Sequence, residues 1–103
     1  MPAALPALLH VQKLLRKADS IGLDPGLPAV DVRDDDSAGA ALAAIVAAGR
    51  ASGVDAESAL SAWARGFRRR FEAMERLAAA RGVDLAQADA AAVAALWAQA
   101  QEQ

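Results

Sequence analysis

Four carboxylates stand within six residues of this chain, at Asp31, Asp34, Asp35 and Asp36. Hard divalent cations bind several carboxylate oxygens at once, so such a cluster has the chemistry to seat Mg²⁺. The plainer reading is a solvated acidic turn that caps the helix behind it, because consecutive residues at a helix start point in different directions. Arg65, Arg68, Arg69 and Arg70 form a basic run suited to phosphate,. Glu72 lies four residues after Arg68 and four before Arg76, which is the spacing of an ordinary charged helix face,. Trp63 and Trp97 are candidates to stack a nucleobase. Of these, Trp63 falls on an apolar stripe and Trp97 is the more open. His10 has no Ser, Cys or carboxylate motif around it, so a solvated or partly packed imidazole is expected. The chain has no Cys, which excludes disulfides, thiolate metal sites and a Cys nucleophile,. It also has no glycine-rich phosphate loop.

The elements that must position these residues are helical throughout. A first helix is expected from about Pro6 to Ser20. Proline suits its first position, and Leu8, Leu9, Val11, Leu14, Leu15 and Ala18 make a broad apolar face,. Pro25, Gly26 and Pro28 mark a loop through Leu23–Asp35,. A second helix begins near Asp36 or Ser37 and runs to about Ser52, with Leu42, Ile45 and Val46 turned to the core and many alanines allowing close contact. Asp55 caps a long third helix from about Ala56 to Arg81. Its stripe of Leu60, Trp63, Phe67, Phe71, Met74 and Leu77 is the strongest periodic signal in the chain,. Gly22, Gly53 and Gly82 are the stops. A last helix extends from near Asp89 to about Gln101, anchored by Val93, Leu96 and Trp97. No strand-like alternation and no internal repeat is found. The expectation is one all-α domain spanning residues 1–103, with four helices of which the third is the longest.

The 103 residues are 55% apolar, much of it alanine, and carry a formal net charge of -2. Alanine buries little area, so such a domain depends on close helix packing or on a partner. The overall basic footprint of a nucleic-acid binder is missing, and nucleic acid is not expected as a partner. The opening MPAALPALLHVQKLL is broken by Pro2, Pro6 and His10 with no basic residue in front, which makes a poor signal peptide,. No stretch approaches the ~18–20 apolar residues of a membrane span. A cytoplasmic location is the simplest expectation.

Three segments resemble the MazG family of nucleoside triphosphate pyrophosphohydrolases. Leu5–Asp24, LPALLHVQKLLRKADSIGLD, is similar to that family's opening helix. Gly53–Gly82, GVDAESALSAWARGFRRRFEAMERLAAARG, is similar to its G-x-D-P-E-x-A-L helix with K-F-x-R-R-F. AALWAQA places Trp97 on the family's closing Trp. The resemblance implies an all-α, usually dimeric fold with one long central helix. It also implies a reaction in which a nucleoside triphosphate is split to the monophosphate and pyrophosphate. The family's Mg²⁺ is held by E-x-x-E on one helix and E-x-x-D on the next, and the metal offsets triphosphate charge and helps activate water.

The centre of the chain departs from that pattern. Only LPAVDVRDDD stands where the E-x-x-E helix belongs, so this first metal-binding helix is missing. Aligning on Gly53-Val54-Asp55 puts Ser37 on the family's Glu and Ala40 on its Asp, and neither can replace an anionic ligand. Gly66 replaces the Lys before Phe67. Arg69, Arg70 and Trp97 remain, and the resemblance marks them as possible nucleotide or phosphate contacts. These departures imply a degenerate MazG-like domain without catalytic residues or an expected cofactor. Its role would be structural, dimerising or regulatory, as a homodimer or as a heteromer with an intact MazG-type chain. The rival is a Mg²⁺-dependent pyrophosphohydrolase with a relocated acidic site at Asp31, Asp34, Asp35 and Asp36. Arg70 borders the apolar stripe, where a charge must snorkel or find an anion. The Asp-rich loop is therefore expected to fold back onto Arg70.

Overall fold

The computed structural model describes residues 6–101; Pro2 and Leu5, where the first resembling segment begins, lie outside them. Among the described residues there are four helices and no strand: α1 (Ala7–Ser20), α2 (Asp35–Ala51), α3 (Ala56–Ala80) and α4 (Ala90–Ala100). The expected order and near boundaries hold, and α3 is the longest at 25 residues. No single described helix is long and apolar enough to cross a membrane.

α3 is the axis of the fold. It packs against each of the other helices, and none of those packs on another. Of its buried positions, Ala64, Phe67, Phe71, Met74 and Ala78 recur every three or four residues and line one face, and Ala73 widens it,. Leu14 and Ala18 from α1 meet that face, as do Val93, Leu96, Trp97 and Ala100 from α4, while Ala7 is buried outside this cluster. Phe67 joins the aromatic residues, with ring centroids 5.2 Å from Trp63, 6.2 Å from Phe71 and 5.1 Å from Trp97. Lys17 of α1 lies over the Phe71 ring at 5.0 Å and reaches Glu75 at 3.7 Å, tying the two helices at their rim.

The helix ends follow the local sequence. Asp55 and Asp89 accept from the backbone N–H groups of Ser58 and Ala92 at 2.9 and 2.8 Å. α2 starts one residue earlier than expected because Asp34 is its cap. Asp34 accepts from the Ser37 N–H at 2.9 Å, while the Ser37 hydroxyl accepts from the Asp34 N–H at 3.0 Å, a reciprocal capping box,. α1, α2 and α3 close alike. A glycine with positive φ follows each (Gly22, Gly53, Gly82), and the next residue's N–H returns to a carbonyl five residues back,. Leu23 and Val83 turn inward after those stops, but Val54 stays 48% exposed.

α2 corrects the sequence reading. Leu42, Ile45 and Val46 do not face the core; they are 45%, 59% and 47% exposed, and none of the helix's 17 residues is buried. The physical reason lies in the connection. α2 and α3 meet at 104° across the Gly53 turn, so α2 touches α3 only through its last turns and then leaves it. The Cα radius of gyration is 15.9 Å, against about 13 Å for a compact domain of this length,.

Candidate functional site

Arg70 joins α3 to the end of α4. Its Nε and Nη2 donate to the Trp97 carbonyl at 3.0 and 2.8 Å, and the guanidinium carbon lies 3.9 Å from the Trp97 ring centroid. Trp97 supplies one of the last four carbonyls of α4, which an α-helix leaves without intrahelical partners. A cation there also complements the negative end of the helix dipole. Arg70 therefore caps α4 from α3 and covers the indole at the same time. Burial draws its pKa below the ordinary guanidinium value. The group remains charged, since no arginine titrates near neutrality.

The Asp-rich loop does not fold back onto Arg70, and this corrects the expectation from sequence. Arg70 is satisfied by a backbone carbonyl held in place by a packed helix. Asp34 is occupied at the start of α2, where the Ser37 backbone N–H and then its side chain hold the carboxyl below its ordinary range. Asp31, Asp35 and Asp36 are exposed, and neither of the two ion pairs among the described residues includes any of them. Among the described residues, no three acidic or imidazole side chains come together in a way that could hold a metal ion. Ser37 spends its hydroxyl in the capping box, and Ala40 is exposed with no ligand atom to offer. The residues at these positions do not fit a Mg²⁺ site of the kind the resemblance implies.

Arg69 remains solvent-facing beside a cleft of about 550 Å³ between α3 and the end of α4, lined by Gly66, Arg69, Arg70, Glu72, Arg76 and Gln101 among others. Arg69 and Arg76, seven residues apart, share this side of α3, and the carboxylate of Glu72 stands between them. Glu72 pairs with Arg68 at 3.4 Å, the expected spacing of four; the equally spaced Glu72 and Arg76 do not form an ion pair. The cleft can present two guanidinium groups to an anion. Trp97 is buried against Phe67 with its face under Arg70, so its ring is not open to a base. His10 is half-buried in a hollow lined also by Lys13, Lys17, Arg68 and Glu72, with no Ser or Cys among the lining residues.

Besides the Lys17–Glu75 pair, two long-range hydrogen bonds from a side chain to the backbone were not visible in the sequence. One is the Arg70 cap on α4. The other is Glu57, whose Oε2 accepts from the Ala7 N–H at 2.9 Å and so caps α1 from fifty residues away. Glu57 reads locally as a first-turn acid of its own helix. Only the packing of α1 on α3 gives it the second task.

The second candidate surface is apolar. A crevice of about 570 Å³ opens between α2 and α3, lined by Ile45, Gly49, Val54, Leu60 and Trp63. Leu42 and Val46, also exposed on α2, lie outside its lining. Comparison with protein-family models, curated proteins and solved structures finds no match for this chain.

Proposed function

We propose that this chain is a degenerate MazG-like helical module that acts by assembling with a second helical chain, not by turning over nucleotide. The observation that carries this reading is α2, a 17-residue helix with no buried residue and three large apolar side chains in solvent. A helix without charge from Ser37 to Gly49 is of the kind found buried on all sides,. In a MazG-like domain lacking its first metal-binding helix, α2 has lost the neighbour that would cover it. A second copy of the chain is the simplest replacement. Further support comes from the site positions, where Ser37 and Asp34 serve as caps and Arg70 serves as a structural cap on α4.

Sedimentation equilibrium tests the proposal. The wild-type chain is expected to be a dimer at micromolar concentration, and Val46→Asp is expected to be a folded monomer. A monomeric wild type that becomes a complex only with an intact MazG-type chain would replace the homodimer by a heteromer. The rival reading, a Mg²⁺-dependent nucleoside triphosphate pyrophosphohydrolase with a relocated site at Asp31, Asp34, Asp35 and Asp36, draws on Arg69 and Arg70, which line the cleft together with Arg76. Pyrophosphate release from a panel of nucleoside triphosphates with Mg²⁺, abolished in Asp35→Asn, would displace the assembly reading.

A further inference from the structure

α2 carries a single seam along its outer side. Asp35, Gly39, Leu42, Val46 and Arg50 follow one another at intervals of four, three, four and four, which keeps them on one face,. All five are exposed. The seam is apolar in the middle, acidic at its start, where Asp36 adjoins Asp35, and basic at its end. A surface of that polarity matches itself only when one copy is turned end for end.

The exposed area calls for such a match. The chain exposes 7321 Å², whereas a folded monomer of 10.6 kDa exposes about 5,500 Å²,. The excess is larger than the ~800 Å² that each partner buries in a standard interface. Leu42 and Val46 on the seam contribute to it, as do Ile45 and Val54 beside the crevice, Leu8 and Leu9 on α1, and Leu27, Val30 and Val32 in the loop before α2.

Resting on the assembly proposed above, we propose that α2 pairs antiparallel with α2 of a second copy of this chain, about a two-fold axis between Leu42 and Ala43. In that register each Arg50 meets Asp35 of the partner subunit, and each Val46 settles over the partner subunit's Gly39. The contact is isologous, as a two-fold interface must be, and every contact is made twice. The small residue at Gly39 lets the helices approach closely enough for Val46 to act as a knob. A Cβ built at Gly39 meets nothing within 4 Å in the single chain, so its small size is not required by the chain's own fold. Antiparallel alignment also sets the two helix dipoles in opposition, which a parallel pairing would not.

The absence of cysteine makes a direct test available. Ala43→Cys, which lies beside the axis, is expected to form a disulfide-linked dimer under mild oxidation, because the two copies of that residue come within disulfide reach. Arg50→Glu is expected to weaken the dimer about tenfold in sedimentation experiments, since two exposed ion pairs become two repulsions. The double variant Asp35→Arg with Arg50→Glu is expected to restore it. Gly39→Leu is expected to dissociate the dimer while leaving the helical circular dichroism intact. A stable dimer that ignores Arg50→Glu and Gly39→Leu and fails to cross-link through Ala43→Cys would overturn this pairing and leave the assembly reading standing. A wild-type chain that stays monomeric at millimolar concentration would overturn both.

Discussion

α2 and α4 are built from the same materials and end up in opposite circumstances. Both are alanine-rich, both lack charge through their middle, and each carries three large apolar residues. α4 buries Val93, Leu96, Trp97 and Ala100 in its eleven residues, whereas α2 buries nothing in seventeen. The difference comes from what holds each helix. α4 lies along α3, its start capped locally by Asp89 and its end held from a distance by Arg70. α2 is capped only by its own flanks, at Asp34 and Ser37, and departs from α3 at 104°. A hydrophobic face states that a helix needs cover, while the connection geometry decides whether the chain itself can supply it.

The largest expected contrast is between core truncations on the two sides of this comparison. Phe71→Ala should destabilise the chain by about 3–5 kcal/mol in urea denaturation, because a buried aromatic leaves a cavity. Leu42→Ala should change the unfolding of the dissociated monomer by less than about 0.5 kcal/mol, as at an ordinary surface position. Equal losses at the two sites would show that α2 is packed within its own chain.

Gly49→Ala attacks the joint. A Cβ at Gly49 would sit 2.8 Å from the Val54 carbonyl oxygen, a backbone atom that can move only with the whole turn. We expect a net destabilisation of about 1–2 kcal/mol, with the steric penalty outweighing the gain in helix propensity. Gly39→Ala on the same helix has open space and should stabilise the monomer slightly, which serves as the control.

Arg70→Ala should lower stability by about 1 kcal/mol, discounted for a side chain that is only half-buried, and should fray the end of α4. Arg70→Lys should not restore it, since an ammonium cannot send two forked N–H groups to one carbonyl while stacking on the indole. Amide exchange near Trp97 reads this out. Rescue by lysine would mean that charge alone matters at the helix end.

The smallest effect is a pH dependence of the caps. Asp34 and Asp55 have carboxyl groups held below their ordinary range. For Asp55 the cause is first the Ser58 side chain and then its backbone N–H. A lowered folded value means stability that is present above the unfolded carboxylate value, near pH 4. It is lost as the pH falls through the lowered folded values. Helicity at 222 nm should therefore hold from neutrality to about pH 4 and decline below it. Asp34→Asn, which keeps the cap without the titration, should flatten the part that belongs to α2.

Much of the architecture was legible because it is local. The caps at Asp55 and Asp89, the glycine stops and the stripe from Phe67 to Met74 each depend on residues within a few positions of one another. The direction of α2 was not legible. Leu42, Ile45 and Val46 have the spacing of a core face, but nothing in that spacing reveals that the Gly53–Val54 turn carries the helix away from α3. The candidate site divides in the same way. Arg70 was rightly singled out as bordering the apolar stripe, but its partner is a backbone carbonyl, and no residue type announces that. The reach of Glu57 to Ala7 is hidden for the same reason, since the acceptor meets a main-chain donor fifty residues away.

The claim that a second chain covers α2 is tested most directly by hydrogen exchange measured as a function of protein concentration. The account predicts that amides from Gly39 to Arg50 gain protection as concentration rises through the dimer dissociation constant, while those of Phe67 to Ala78 in α3 stay protected throughout. Protection of α2 that is already strong at the lowest concentration and does not change on dilution, in a chain shown by sedimentation to be monomeric, would contradict it.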